Sequence, residues 1–259
     1  MARISLWCVA VVALFFVVET TWCQADGSAQ NNKEGDKLFN EGNSLFKTGN
    51  YMAAIEKYNA ALALNKDYKY YYQLGLSYKN TRQFDQAISS FEEALKLKAD
   101  FAIGHNALGG TLLSRGDYNK AIDAFKLALR YDPQMDRAKK GLTESYAGKI
   151  QELVNDGKIS EASSLVDDAL QQHSDDAKLY LLAAIVYNKI EKPEQALSAA
   201  QEAIKLKKRG SKGAEYFEVG IAHKKLKDFD KARTAFLEAK KDPAYGRNAQ
   251  YELDGLKGK

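Results

Sequence analysis

His105, His173 and His223 are the side chains of this 259-residue chain best able to run acid–base or metal chemistry near neutral pH. None has a cysteine or carboxylate at the spacing of a metal site or a catalytic triad, and the glycines do not gather into a phosphate-cradling loop. Both thiols, Cys8 and Cys23, lie within the first 23 residues. Past that point the chain has no thiolate metal site and no disulfide framework. The expectation is a non-enzyme, without catalytic residues, cofactor or metal.

The chemistry left is that of recognition. Tyr68, Tyr70, Tyr71 and Tyr72 crowd one stretch and cannot all face one way on a helix. Tyr71 is expected to pack, Tyr72 to meet a partner, and Tyr68 or Tyr70 to be more exposed, where tyrosine makes a good contact residue. Filling space between neighbouring elements is the plainer role for the same rings. A second feature is the basic run from Lys205 to Lys212. Residues 201–259 carry 15 Lys+Arg against 9 Asp+Glu, whereas 26–200 carry 22 against 24, so the positive charge is concentrated at the C-terminal end. Such a patch suits an acidic partner or an anionic membrane surface. A solvated helix end, where cations complement the macrodipole, is the preferred reading. No recognisable nucleic-acid module is present.

These groups have to be carried by helices. In the stretch Phe101 to Gln134, Leu108, Leu112 and Leu113 recur at helical spacing before the turn Arg115-Gly116-Asp117-Tyr118. Ala121, Ile122, Phe125, Ala128 and Leu129 then form one face of a second helix, and Pro133 closes the unit. Helices of about three turns cannot shield an apolar stripe alone, so the unit needs neighbours. The chain supplies them. A residue after the turn is followed three places later by Ala at Tyr51, Phe84, Tyr118, Ile159, Pro193 and Phe229, at intervals of 33, 34, 41, 34 and 36. A small residue sits in each first helix at Gly42, Gly75, Gly109, Ala184 and Gly220, where two helices would cross closely. An Ala, aromatic, Ala triplet recurs in the second helices, as at Ala54, Tyr58 and Ala61.

This pattern resembles the tetratricopeptide repeat, a helix–turn–helix unit with a period of about 34 residues. Six candidate copies cover residues 35–243. The resemblance implies an all-α, right-handed α-solenoid of about six repeats with a short C-terminal capping helix. Two copies depart from it. The fourth has Ile150 at the small position and Val166 at the aromatic one; the fifth has Ala200 at the aromatic position and Pro193 as its marker. Both are expected to pack less regularly.

The resemblance also implies a concave groove lined by first helices, in which a peptide or protein binds. The groove positions are Phe39, Asn43, Phe46, Tyr72, Leu76, Lys79, Asn106 and Leu113 in the first half. In the second they are Leu181, Ile185, Asn188, Phe217, Ile221, Lys224 and Lys225. Rings supply contact area and amides bond a peptide backbone, although any one of these residues could equally pack between neighbouring repeats. One sub-family clamps a C-terminal carboxylate with lysines, asparagines and an arginine. Only Asn43 matches that clamp, the other positions holding Phe39, Gln73, Ile103 and Ala107, so a clamp of that kind is not expected.

Ahead of the repeats, Arg3 precedes an unbroken apolar run of 13 residues, Leu6 to Val18, too short to span a bilayer as a helix. Residues 1–25 are read as a signal peptide, with an uncleaved anchor or lipidation at Cys23 as alternatives. A flexible leader follows at 26–34. Repeats one to three occupy 35–135. A long helix, opened by Asp136 as N-cap and marking a hinge between halves, and repeats four to six occupy 136–243. In the capping segment 244–259, Tyr251, Leu253 and Leu256 are expected to cover the last repeat, with Arg247, Glu252 and Asp254 facing water. The resulting expectation is a periplasmic or secreted scaffold that binds a protein or peptide partner, without nucleic acid. Membrane contact would come only through an uncleaved anchor, lipidation or the basic C-terminal repeats. The competing readings are an accessory subunit binding a small hydrophobic ligand beside a transporter, and a membrane-tethered assembly factor.

Overall fold

The computed structural model describes residues 30–258. The expected export segment, with Cys8 and Cys23, and residues 26–29 lie outside the described residues. Residues 30–34, expected as leader, instead belong to the first helix, α1, at 30–47. Glu34 and Lys37 pair one turn apart, and Gly35 is already buried.

The remaining helices are α2 (Tyr51–Leu64), α3 (Tyr68–Asn80), α4 (Phe84–Leu97), α5 (Ala102–Arg115), α6 (Tyr118–Tyr131) and α7 (Asp136–Asn155). They are followed by α8 (Ile159–Gln172), α9 (Ala177–Lys189), α10 (Pro193–Leu206), α11 (Gly213–Lys225), α12 (Phe229–Lys240) and α13 (Gly246–Asp254). No strand occurs among the described residues. The fold is all-α, a helical-repeat solenoid of helix–turn–helix units closed by a short final helix. The chain divides into two compact units inside α5, after Thr111, and not at the long α7.

In unit one, α3 packs on α2 and on α4. Tyr58, Tyr70 and Phe91 are sealed in this layer. Tyr70, not Tyr71, is therefore the packing residue of the tyrosine stretch: its ring stacks on Phe39 at 4.7 Å and its hydroxyl donates to Asp36. Burial pushes the Tyr58 hydroxyl up to about 12, and burial with a carboxylate neighbour pushes Tyr70 and Tyr187 higher still. A folded-state pKa above the unfolded value of about 10 adds stability below that pH and loses it as pH climbs through the folded value. An absorbance titration at 295 nm is thus expected to show three tyrosines ionising only together with loss of helical ellipticity, near pH 12 or above. Ionisation of every tyrosine near its ordinary value with helicity intact would contradict this packing.

In unit two each helix touches its sequence neighbours, and the first helix α9 also touches the first helices α7 and α11. Contact with near neighbours alone is the one-dimensional arrangement of a helical repeat. Asp176 caps α9, its carboxylate accepting from the Lys178 amide at 2.8 Å. Asp136 does not cap α7 but is its first residue, Met135 holding the cap position without a side-chain bond. At the C-terminus Leu256 and Ala249 close over Ala232, Phe236 and Ala239, with Leu253 packed alongside. Tyr251 does not help: it is 77 % exposed, because two residues beyond Ala249 places it on the far side of α13.

Each hairpin turns by the same device. One residue takes a left-handed conformation at Gly49, Arg82, Gly116, Gly157, Glu191 and Lys227. The following amide reaches back five residues to a carbonyl, as Asn50 N to Leu45 O at 2.9 Å and Gln83 N to Tyr78 O at 2.8 Å. A side chain in this conformation is strained, whereas glycine is not. Arg82→Gly and Lys227→Gly are each expected to gain about 0.5–1 kcal/mol, read as a raised urea midpoint. Glu191 is a poorer choice because its carboxylate holds Lys225 at 2.6 Å.

Close helix crossings explain the small residues. A Cβ on Gly42 would stand 2.6 Å from Tyr58 Cε1, one on Gly75 2.7 Å from Phe91 Cε1, and one on Gly220 2.5 Å from Phe236 Cε1. The divergent copies solve the same problem otherwise. Ile150 and Val166 are both buried in the fourth, as are Ala184 and Ala200 in the fifth. These positions are filled without the glycine and ring of the other copies, and α7 and α8 meet less extensively than α3 and α4 or α11 and α12. The long α7 adds a feature of its own. Gly141 and Gly148 lie seven residues apart on one face, against Phe125 and Tyr118 of α6.

Candidate partner-binding face

The first helices of unit one bring the expected recognition residues into two short rows. On α1, Phe39, Asn43 and Phe46 share a face at spacings of four and three. Each is braced from behind: Phe39 leans on Tyr58 at 5.7 Å, Asn43 Oδ1 accepts from the Tyr58 hydroxyl at 2.9 Å, and Phe46 meets Tyr51 edge-on at 5.2 Å. On α3, Tyr72 stands against Phe91 at 5.8 Å and Phe101 at 5.1 Å, while Leu76 packs on Ala87, Phe91 and Ala107. Asn106 of α5 is half-buried. Such bracing holds a ring or amide in one rotamer, which reduces the entropy lost when a ligand lands on it.

Lys79 closes the α3 row. It is half-buried, and its ammonium has no hydrogen-bond or ion-pair partner among the described residues. Burial lowers its pKa from the usual lysine value. A Cβ on Gly110 would stand 3.2 Å from the Lys79 Nζ, with nothing else within 4 Å. Not foreseen from the sequence is the neighbouring cation–aromatic group, in which Lys98 Nζ lies 4.8 Å above the Tyr68 ring and Phe101 meets that ring edge-on at 5.1 Å. Its only hint was the adjacency of Lys98 and Phe101 at the end of a helical period.

In unit two the expected residues are more tied to the scaffold. Leu113, Leu181 and Ile185 are half-buried. Asn188 is buried; its Nδ2 donates to the Glu218 carbonyl at 3.2 Å and to Glu218 Oε2 at 2.8 Å, joining α9 to α11. Desolvation raises the Glu218 carboxyl above the ordinary range, and the Asn188 bond opposes the rise. Phe217 leans on Phe236 at 5.6 Å and Tyr245 at 5.7 Å, and Ile221 joins the same cluster. Lys224 pairs with Glu252 of α13 at 2.5 Å, so Glu252 does not face water. Lys225 donates to the Asn188 carbonyl and to Glu191.

The basic run after α10 is not uniformly solvated either. Lys207 pairs with Glu215 at 2.7 Å, and the Glu215 side chain is only 2 % exposed. Lys208 and Arg209 are exposed. Asp242, at the end of α12, accepts from Ser211 and occupies the α11 N-terminus. Among the described residues no three His, Cys, Asp or Glu side chains are grouped to hold a metal ion, and no helix is long and apolar enough to cross a membrane.

The arrangement has relatives. The tetratricopeptide repeat family model matches residues 39–78 and 72–136. Small glutamine-rich tetratricopeptide repeat-containing protein 2 of Mycosarcoma maydis is 33 % identical over 94 residues, 36 % of this chain and 27 % of that protein. The Hsp70-Hsp90 organizing protein of Triticum aestivum is 28 % identical over 235 residues, 79 % of this chain and 40 % of that protein. The chain thus spans well under two thirds of either relative's length. Among solved structures, YrrB, described as a TPR protein with an unusual peptide-binding site, superposes with a TM-score of 0.52 at 16 % identity, covering 75 % of this chain and 96 % of that one. That likeness concerns the fold. Residues 39–136 thus match the tetratricopeptide repeat model, within a chain whose fold is an all-α helical repeat.

Proposed function

We propose that the chain is a protein-interaction scaffold, without catalytic activity, that holds a segment of a partner protein along the first helices of its repeats. One observation carries this reading. Of the expected recognition residues, Asn188 alone is buried; all the others keep one flank packed and the other open to solvent. Rings and amides fixed from behind and free in front are what an extended segment needs for contact area and backbone hydrogen bonds. The name of the wheat relative, an Hsp70-Hsp90 organizing protein, supports the same class of role.

We further place the protein outside the cytoplasm, in a periplasm or as a secreted chain. Arg3 followed by the apolar run Leu6 to Val18 supports this, and the mature chain would then start at Asp26. Intact mass of protein purified from its native source tests the point, since retention of residues 1–25 would exclude cleavage there.

The binding reading is tested by pull-down from native extract. Asn106→Arg should reduce partner recovery strongly, and Asn59→Arg, exposed on α2, should leave it unchanged. Undiminished recovery with an Asn106→Arg protein that melts with its parent would count against binding on this face.

A further inference from the structure

The face on unit one carries a half-buried ammonium, Lys79, with no hydrogen-bond or ion-pair partner among the described residues. A half-buried ammonium is poorly hydrated, and it gains most from an anion that completes its coordination. Nearby cations are already satisfied or solvated. Lys57 holds Glu41 at 2.6 Å and Lys37 holds Glu34 at 3.3 Å, while Lys47 is exposed. Among the described residues Lys79 has no partner, and it is not fully exposed.

The chain contains its own example of how such a lysine is completed. Lys79 lies four residues after the crossing glycine Gly75, and Lys224 lies four residues after the crossing glycine Gly220. The two lysines therefore occupy equivalent places on their first helices. Lys224 is met by a carboxylate from the next helix in the stack, Glu252 of α13, at 2.5 Å. Lys79 is met on α5 by Gly110, which offers no side chain. Where a side chain of Gly110 would begin, the Lys79 ammonium is the one group within 4 Å.

We propose that Lys79 receives an Asp or Glu side chain of the partner, so that unit one selects an acidic segment. The inference rests on the scaffold reading above and names the chemistry of what that face holds. A side-chain carboxylate fits better than a chain terminus. Lys79 is one point charge, and the positions that would build a multi-donor terminal clamp hold Phe39, Gln73, Ile103 and Ala107. Gly110 has a part in this selection, since a side chain there would crowd the ammonium at 3.2 Å and shift it from its present place.

The test is selection of displayed peptides on the full chain. The library presents random segments of about a dozen residues flanked on both sides by constant sequence, so that no free terminus is offered. Wild-type protein should enrich Asp and Glu over the starting library. A selected acidic peptide should lose about tenfold in affinity when its carboxylate is replaced by the matching amide, the scale of one charge-assisted hydrogen bond. Lys79→Met should bind the acid and amide forms alike, Lys79→Arg should keep a preference for the acid, and Gly110→Ala should weaken that preference with the charge intact. Peptides selected without acidic bias, or a preference that survives in Lys79→Met, would overturn the inference while leaving the scaffold reading in place. If Lys79→Met does not fold, full preference retained in Gly110→Ala overturns it. A library that yields no binders would overturn both.

Discussion

Replacing Gly141 with leucine is expected to destabilise the protein by about 3 kcal/mol, at the upper end of the range for overpacking a core. The first atom of any side chain at this position would stand within 2.5 Å of Phe125 Cε1. Rings sometimes yield to such pressure, but Phe125 is itself buried, and a close-packed interior resists its turning. The helices α6 and α7 would have to separate, and every contact along their length would loosen with them. Gly148 is the instructive comparison. It faces Tyr118, which is only half-buried and can swing outward, so Gly148→Leu should cost less. Asn119→Leu, on the exposed side of α6, should change stability by no more than about 0.5 kcal/mol. Urea midpoints at constant slope read all three. Equal midpoints for Gly141→Leu and Asn119→Leu would mean that α6 and α7 do not approach closely.

The second large effect is expected at Lys207. Substituting methionine keeps an unbranched apolar stem one atom shorter and removes the charge, leaving Glu215 sealed without its cation. Breaking a buried ion pair in this way costs about 3–5 kcal/mol, and the partial exposure of Lys207 places the expectation near about 3 kcal/mol. The carboxylate has little else to rely on, because its second oxygen, Oε2, is buried without a hydrogen-bond partner among the described residues. The double variant Lys207→Met/Glu215→Leu should recover most of the loss, since an apolar pair of similar size removes the desolvation problem altogether. Lys208→Met, next door and exposed, should be neutral. A Lys207→Met protein as stable as its parent would show that Glu215 is not held by this lysine.

Several of these features are legible in the sequence and others are not, for identifiable physical reasons. The period, the hairpins and the crossing glycines follow from spacing alone, because a glycine sixteen residues before a ring recurs in constant phase. Tyr70 escaped because phase was taken from Gly75, which faces Phe91 within its own hairpin. A first helix is buried on two flanks, and the Tyr70 flank meets α1 of the preceding hairpin. Tyr251 failed for the opposite reason: a terminal helix has one covered flank, and an apolar residue off that flank stays in water. Lys207 was counted with a solvated charge run because its partner lies eight residues on, across a loop whose path spacing does not reveal. Lys79 was placed on the right helix, but that it lacks a partner is a property of its neighbours, Gly110 above all.

The crossings bear on how such chains change over time. At Gly42, Gly75 and Gly220 a glycine on one helix makes room for a ring on the other, whereas the fourth hairpin buries Ile150 and Val166 and the fifth Ala184 and Ala200 at those places. Drift can therefore move a hairpin from one solution to another through paired replacements, erasing its hallmark letters without disturbing how it stacks. The family match ends at residue 136, just ahead of the two hairpins that have made that exchange. Counting such units by their letters will undercount them; counting left-handed turn residues, which the backbone cannot do without, will not.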